Sequence, residues 1–134
     1  MPNKILSSEL RNYEVDILAL AAQGVGAVQS VDFDNQTGVA AQIFINVTAI
    51  SGGASLQVNI VGKDPVSGAY YTIVGSAQIT TVGFTRLTIG PGLPATANIS
   101  VNDFLPKSWA AKATVTVGGS VTATIAASIN GGRN

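Results

Sequence analysis

The sequence predicts an all-β protein, an antiparallel β-sandwich of jelly-roll or immunoglobulin-like type with eight to ten short strands and an N-terminal arm. Three observations predict it. Apolar and polar residues alternate at period two in segment after segment, which gives each strand one dry and one wet face. Turn-forming Gly, Pro, Asn and Asp recur at roughly the 8–12-residue spacing of sandwiches and barrels. No stretch leaves room for the helical crossovers that a parallel sheet demands. A chain of 134 residues is one domain in size. It divides into an arm over 1–13, a sandwich domain over 14–130 and a tail over 131–134.

Taken in order, residues 1–13 are polar and mixed. They form either a short helix capped by Ser7 or Ser8 and running through Leu10 and Tyr13, or an extended arm. From Tyr13 a strand pattern begins, with Val15, Ile17 and Ala19 on one side. Gly24-Val25-Gly26 interrupts it and Ala27–Phe33 resumes it. The run from Asp32 to Gly38 is turn-rich. In Ala41–Ile50, Ile43, Ile45 and Val47 face one way and Phe44, Asn46 and Thr48 the other. Ser51-Gly52-Gly53 then leads to Leu56, Val58 and Ile60, alternating with Gln57 and Asn59. Asp64-Pro65 followed by Gly68 makes a turn, because Asp accepts backbone N–H bonds, Pro presets φ and Gly tolerates positive φ. Tyr70–Ser76 is the return strand of that hairpin.

Gln78–Val82 reads as a short companion, and Phe84–Ile89 as a strand whose Leu87 and Ile89 oppose Phe84 and Arg86. Gly90-Pro91-Gly92-Leu93-Pro94 is excluded from any central strand by its prolines and glycines. Ala97–Val101 is a short strand and Asn102–Lys107 a loop. Trp109–Val117 and Val121–Ile129 read as a second hairpin about Gly118-Gly119-Ser120. The last strand is uncharged and has no proline, so as a free edge it would be sticky; a strand of the same domain or another subunit should cover it.

Composition narrows the function. Seven Lys and Arg balance seven Asp and Glu, and only 10% of residues are charged, against about 25% in average soluble domains. So neutral a surface invites coverage by partners. The cations, at 4, 11, 63, 86, 107, 112 and 133, are scattered; nucleic acid is not expected as a partner. With no Cys and no His, disulfides, thiolate or imidazole metal sites and Cys/His nucleophiles are excluded. No apolar run has the length of a membrane helix or of a signal-peptide core, so a membrane is not expected and synthesis in a cytoplasm is.

The remaining motifs are weak as chemistry. Asp32 and Asp34 with Asn35 offer oxygens to calcium, but a strand end followed by an Asx-type turn accounts for them without other ligands. Seven acids, several near the N-terminus, make a poor source for an acid/base pair, so neither enzyme activity nor a cofactor is expected. Lys63-Asp64 reads as an ion pair at a turn. Three Asn-x-Ser/Thr triplets begin at Asn35, Asn46 and Asn98 and are coincidences of an Asn/Thr-rich chain. Tyr70, Tyr71 and Trp109 suit either core and interface packing or a sugar-stacking platform.

The run Gly62-Lys63-Asp64-Pro65-Val66-Ser67-Gly68-Ala69-Tyr70-Tyr71 resembles one found in small structural proteins of tailed bacteriophages. Weaker matches stand in order around it: Val47-Thr48-Ala49, Ser55-Leu56-Gln57-Val58, Pro91-Gly92-Leu93 and Leu105-Pro106-Lys107-Ser108-Trp109. The similarity spans about residues 15–117 and departs at both ends, with an added arm before it and a less basic strand after Trp109. The resemblance implies a virion component without catalytic residues, a capsid decoration (cement) or minor head protein. It also implies the major capsid protein as partner and a homo-oligomer, a trimer about local axes. The interface candidates are Leu10, Tyr13, Lys63, Asp64, Pro65, Tyr70, Tyr71 and Trp109. The competing expectations are a carbohydrate-binding or host-attachment module, carried by Tyr70, Tyr71 and Trp109, and a tail or neck protein of the same virion.

Overall fold

The structure is a computed structural model that describes residues 13–35 and 38–131. Residues 1–12 of the expected arm, with Leu10 and the Ser7/Ser8 cap, lie outside the described residues, as do 36–37 and most of the tail; Tyr13, assigned to the arm, is the first residue of β1. Ten strands are present among the described residues: β1 (Tyr13–Gln23), β2 (Gly26–Gln29), β3 (Phe33–Asp34), β4 (Ala40–Ser51), β5 (Ser55–Lys63), β6 (Tyr70–Gly75), β7 (Gly83–Gly90), β8 (Ser100–Asn102), β9 (Ser108–Thr116) and β10 (Ser120–Asn130). They form two sheets, β1-β10-β4-β7-β8 and β2-β9-β5-β6, with β3 added beside β9.

Period-two alternation decides what each strand buries. Ile43, Ile45 and Val47 of β4, and Val121, Ile125 and Ile129 of β10, point from the first sheet into the core. Leu56, Val58 and Ile60 of β5 and Ala111, Ala113 and Val115 of β9 meet them from the second. A slip of one residue would turn such a set to water. Burying each Val, Leu or Ile side chain is worth about 1.5–3 kcal/mol, so the register is firmly held.

Four details differ from expectation, each for a physical reason. The Trp109–Val117 and Val121–Ile129 segments are strands but not a hairpin. β9 pairs with β5 and β2, and β10 with β1 and β4, so Val117–Gly119 carries the chain from one sheet to the other. Alternation specifies which face of a strand is dry, not which neighbour it pairs with. β10 is accordingly a central strand, and its apolar face is covered within the domain. Second, β1 carries a bulge: Asp16 pairs with Ala126 and Leu18 with Ile125, leaving Ile17 as the extra residue. Side-chain parity reverses there, so Leu20 is buried and Ala19, expected beside Val15 and Ile17, faces outward.

Third, the pairing of β7 with β8 is parallel. It needs no helix because the connection from Pro91 to Ile99 is an irregular loop and only three residue pairs are joined. Fourth, Gln78–Val82 supplies a single bridge, Ile79 to Leu56, rather than a strand.

The ends of the sandwich differ. At one end β3–β4 and β8–β9 cross between the sheets, and at the other β1–β2, β4–β5, β6–β7 and β9–β10 cross. Gly52 and Gly119, both with positive φ (67° and 115°), let two of these crossings touch backbone to backbone. A Cβ on Gly52 would lie 2.8 Å from the Cα of Gly119. The opposite end holds the start of β1, the β5–β6 turn and the loop before β9.

Candidate functional site: the hairpin corner

The β5–β6 turn forms as its sequence dictates. Asp64 accepts from the backbone N–H of Val66 (3.0 Å) and from the hydroxyl of Ser67 (2.8 Å), and Gly68, at φ 77°, donates to the Asp64 carbonyl (2.9 Å). The bonds from Val66 and then Ser67 hold the Asp64 carboxyl below its ordinary pKa. Pro65 and Val66 are left at the tip, Val66 being 94% exposed.

Lys63 does not pair with Asp64, as the sequence suggested, because Asp64 is occupied by its own turn. Its Nζ lies 3.0 Å from Asp32, on the loop between β2 and β3. The hydroxyl of Tyr70 donates to the other oxygen of Asp32 at 2.8 Å, and the Lys63 Nζ sits 5.7 Å from the centre of the Tyr70 ring. The three groups tie β5, β6 and the Asp32 loop together across β9, where Ala110 and Val61 are buried beneath. Hydrogen bonds from Lys63 and then Tyr70 lower the Asp32 pKa. The same contacts raise those of Lys63 and Tyr70. Asp32 and Tyr70 are exposed and Lys63 is half-exposed, so the interaction positions a loop and adds little stability. Asp34, the other proposed calcium ligand, pairs with Lys107 at 2.9 Å.

Successive residues leave a strand on opposite faces, and Tyr70 and Tyr71 follow that rule. Tyr71 pairs in register with Gly62 and lies on it so closely that a Cβ there would meet the Tyr71 ring at 2.5 Å. The two tyrosines are 43% and 48% exposed. Trp109 corrects the candidate set. It is 1% exposed, its ring centre is 5.1 Å from that of Phe33, and its indole nitrogen has no hydrogen-bond partner among the described residues. It belongs to the core under the corner and is not an interface residue. The three-aromatic platform for a sugar is therefore not assembled.

Tyr13 begins β1 at this same end. Its hydroxyl donates to the Asn35 side chain at 3.3 Å, and burial followed by the charge of Asp34 raises its pKa. Asn35 was singled out in the sequence as a turn residue, a calcium-oxygen candidate and the start of an Asn-x-Thr triplet, but not as a buried brace. Its buried amide donates to the carbonyls of Gly38 (2.8 Å) and Leu105 (3.0 Å) and accepts from the Gly38 N–H (2.7 Å), joining both sheets. The turn-rich run was the only signal. Between the turn and the loop before β9 lies an open groove of about 580 Å³, lined by Lys63, Pro65, Val66, Tyr71, Pro106 and Lys107 among others. Of the eight interface candidates, six — Tyr13, Lys63, Asp64, Pro65, Tyr70 and Tyr71 — are thus brought to one end. Leu10 lies outside the described residues.

No protein-family model and no curated protein sequence matches the chain. Among solved structures, similarity is found to infectious bursal disease virus of the Gx strain (TM-score 0.42, 12% identity) and the Gt strain (0.43, 13%). It is also found to the virus's VP2 subviral particle (0.41, 11%). The alignments cover 92%, 92% and 95% of this chain but only 33%, 34% and 32% of the others, so this chain spans about a third of their length.

Proposed function

We propose that this chain is a structural protein of a tailed-phage virion, a decoration protein that binds the head shell and stabilises it without chemistry of its own. One observation carries the proposal: the decapeptide that resembles phage structural proteins folds into the exposed hairpin corner, at the end where β1 begins. An arm leading into Tyr13 and the Pro65–Val66 tip can therefore engage one neighbour together. The sparse charge supports the same reading, since a neutral surface suits burial against a shell subunit.

The test is occupancy on purified shells lacking the protein. Deleting residues 1–12 is expected to leave the fold intact and to lower occupancy at least about tenfold, and Pro65→Gly with Val66→Asp to lower it further. Full occupancy by both variants would overturn the corner as the binding site. Antibody label on tails or necks, rather than heads, would replace the decoration reading with the tail or neck alternative.

A further inference from the structure

We propose that two copies of this chain pair face to face through the outer surface of the β1-β10-β4-β7 sheet, about a two-fold axis. The proposal stands independently of the virion reading.

The register places one row across that surface: Asp16 pairs with Ala126, Ala126 with Phe44, and Phe44 with Arg86. The row therefore reads acid, small, large, base over three strand spacings, roughly 14 Å. An axis in the face, parallel to the strands and midway between β10 and β4, lays the row on its own reverse. Asp16 then meets Arg86 of the second copy, and Ala126 meets Phe44, twice over by symmetry. Neither charge has an ion-pair partner among the described residues, and both are exposed.

The next row behaves alike. Ala19 pairs with Thr124, Thr124 with Asn46, and Asn46 with Phe84. Reversal sets Ala19 against Phe84, an apolar contact, and Thr124 against Asn46, a hydroxyl facing an amide. Ala19 is available for this only because the bulge at Ile17 turns it outward.

Shape agrees with chemistry. Phe44 and Phe84 stack with centres 5.9 Å apart and make a ridge on the β4–β7 half, with Phe84 63% exposed. On the β1–β10 half, Asp16, Ala19, Thr124 and Ala126 border a hollow of about 450 Å³. The axis carries each ridge into the other copy's hollow. Apart from Arg86, the four strands bring no other cation to this face, and β4 and β10 bring no charge at all. The contact patch is about 500–600 Å² per copy, below the usual 800 Å² or so, which suits a weak pair.

Sedimentation equilibrium of the full-length chain tests this. A species of twice the 13.6 kDa chain mass is expected, weakening as salt is raised. Asp16→Arg or Arg86→Asp alone juxtaposes like charges and should weaken pairing at least about tenfold, with the circular dichroism unchanged. The double swap should recover wild-type pairing to within about threefold. A monomer at about 1 mM, a trimer, or a double swap no better than either single change would overturn the proposal.

Discussion

The two ends of the sandwich are closed in different ways. At the crossing end two of the connections between the sheets touch backbone to backbone, Gly52 against Gly119. At the corner end the β3–β4 and β8–β9 connections cross between the sheets and the Asn35 amide braces them, while the Asp32–Lys63–Tyr70 cluster and the Asp34–Lys107 pair tie elements of the second sheet to one another. Backbone contact leaves no freedom of residue choice, whereas side-chain bridges on a supported surface can be exchanged. Residue choice is therefore tightest at the crossing end, where backbone meets backbone, and loosest among the exposed side chains of the corner end. Substitutions can break that contrast or sharpen it.

The largest effect is expected at Trp109, which lies under the corner but belongs to the core. Trp109→Ala should cost about 3–5 kcal/mol in denaturant unfolding, as for other large core deletions. A loss under about 1 kcal/mol would place Trp109 on the surface after all. Gly119→Ala should follow at roughly 2–4 kcal/mol, because its Cβ would press on the Ser51 carbonyl from a backbone of φ 115°. The control is Gly24→Ala, where a Cβ meets nothing within 4 Å, and chemical denaturation should scarcely distinguish it from wild type. If the two glycine substitutions cost the same, the crossing end is not held by close backbone contact.

These two predictions also mark what was legible. The dry faces of β4, β5 and β10 were readable residue by residue, since Ile43, Val58 and Ile125 fall on strict alternation. Asp64, Pro65 and Gly68 announced their turn, because turn chemistry is local. Partner choice was not readable. Nothing within Trp109–Val117 says that it pairs with Ser55–Lys63, 50 or so residues away, rather than with the strand that follows it. The bulge at Ile17 leaves no local mark either, and it decides where Ala19 points. Lys63 was assigned to its sequence neighbour Asp64, while its partner Asp32 stands 31 residues upstream. Of the corner, the turn was visible and the cluster around it was not.

Asn35 tests the side-chain end at intermediate size. Asn35→Ala leaves the buried Leu105 carbonyl and the Gly38 N–H without their partner, and should cost roughly 1–3 kcal/mol. Asn35→Asp keeps the acceptor and loses the donor, so it should fall between wild type and the alanine variant. If it is as damaging as alanine, the bond to the Leu105 carbonyl dominates.

The smallest effect belongs to the exposed cluster, and its pH dependence distinguishes it from a packing effect. Asp32 has its pKa lowered on folding, so its contribution is present above the ordinary carboxylate range and is lost as pH falls through the lowered value. Lys63 and Tyr70 have theirs raised, so their contribution persists on the acid side and is lost as pH rises through the raised values. Asp32→Asn should therefore lower the melting temperature slightly across a plateau from about pH 5 to pH 9, with the difference closing at both extremes. Tyr70→Phe should show the same alkaline closure. A difference constant with pH would mean that Asp32 acts through shape rather than charge. At neutral pH the Asp32 variant should keep the crossing end unaltered by hydrogen exchange while loosening the loop around Val31. That would confine the exchangeable contacts to the corner.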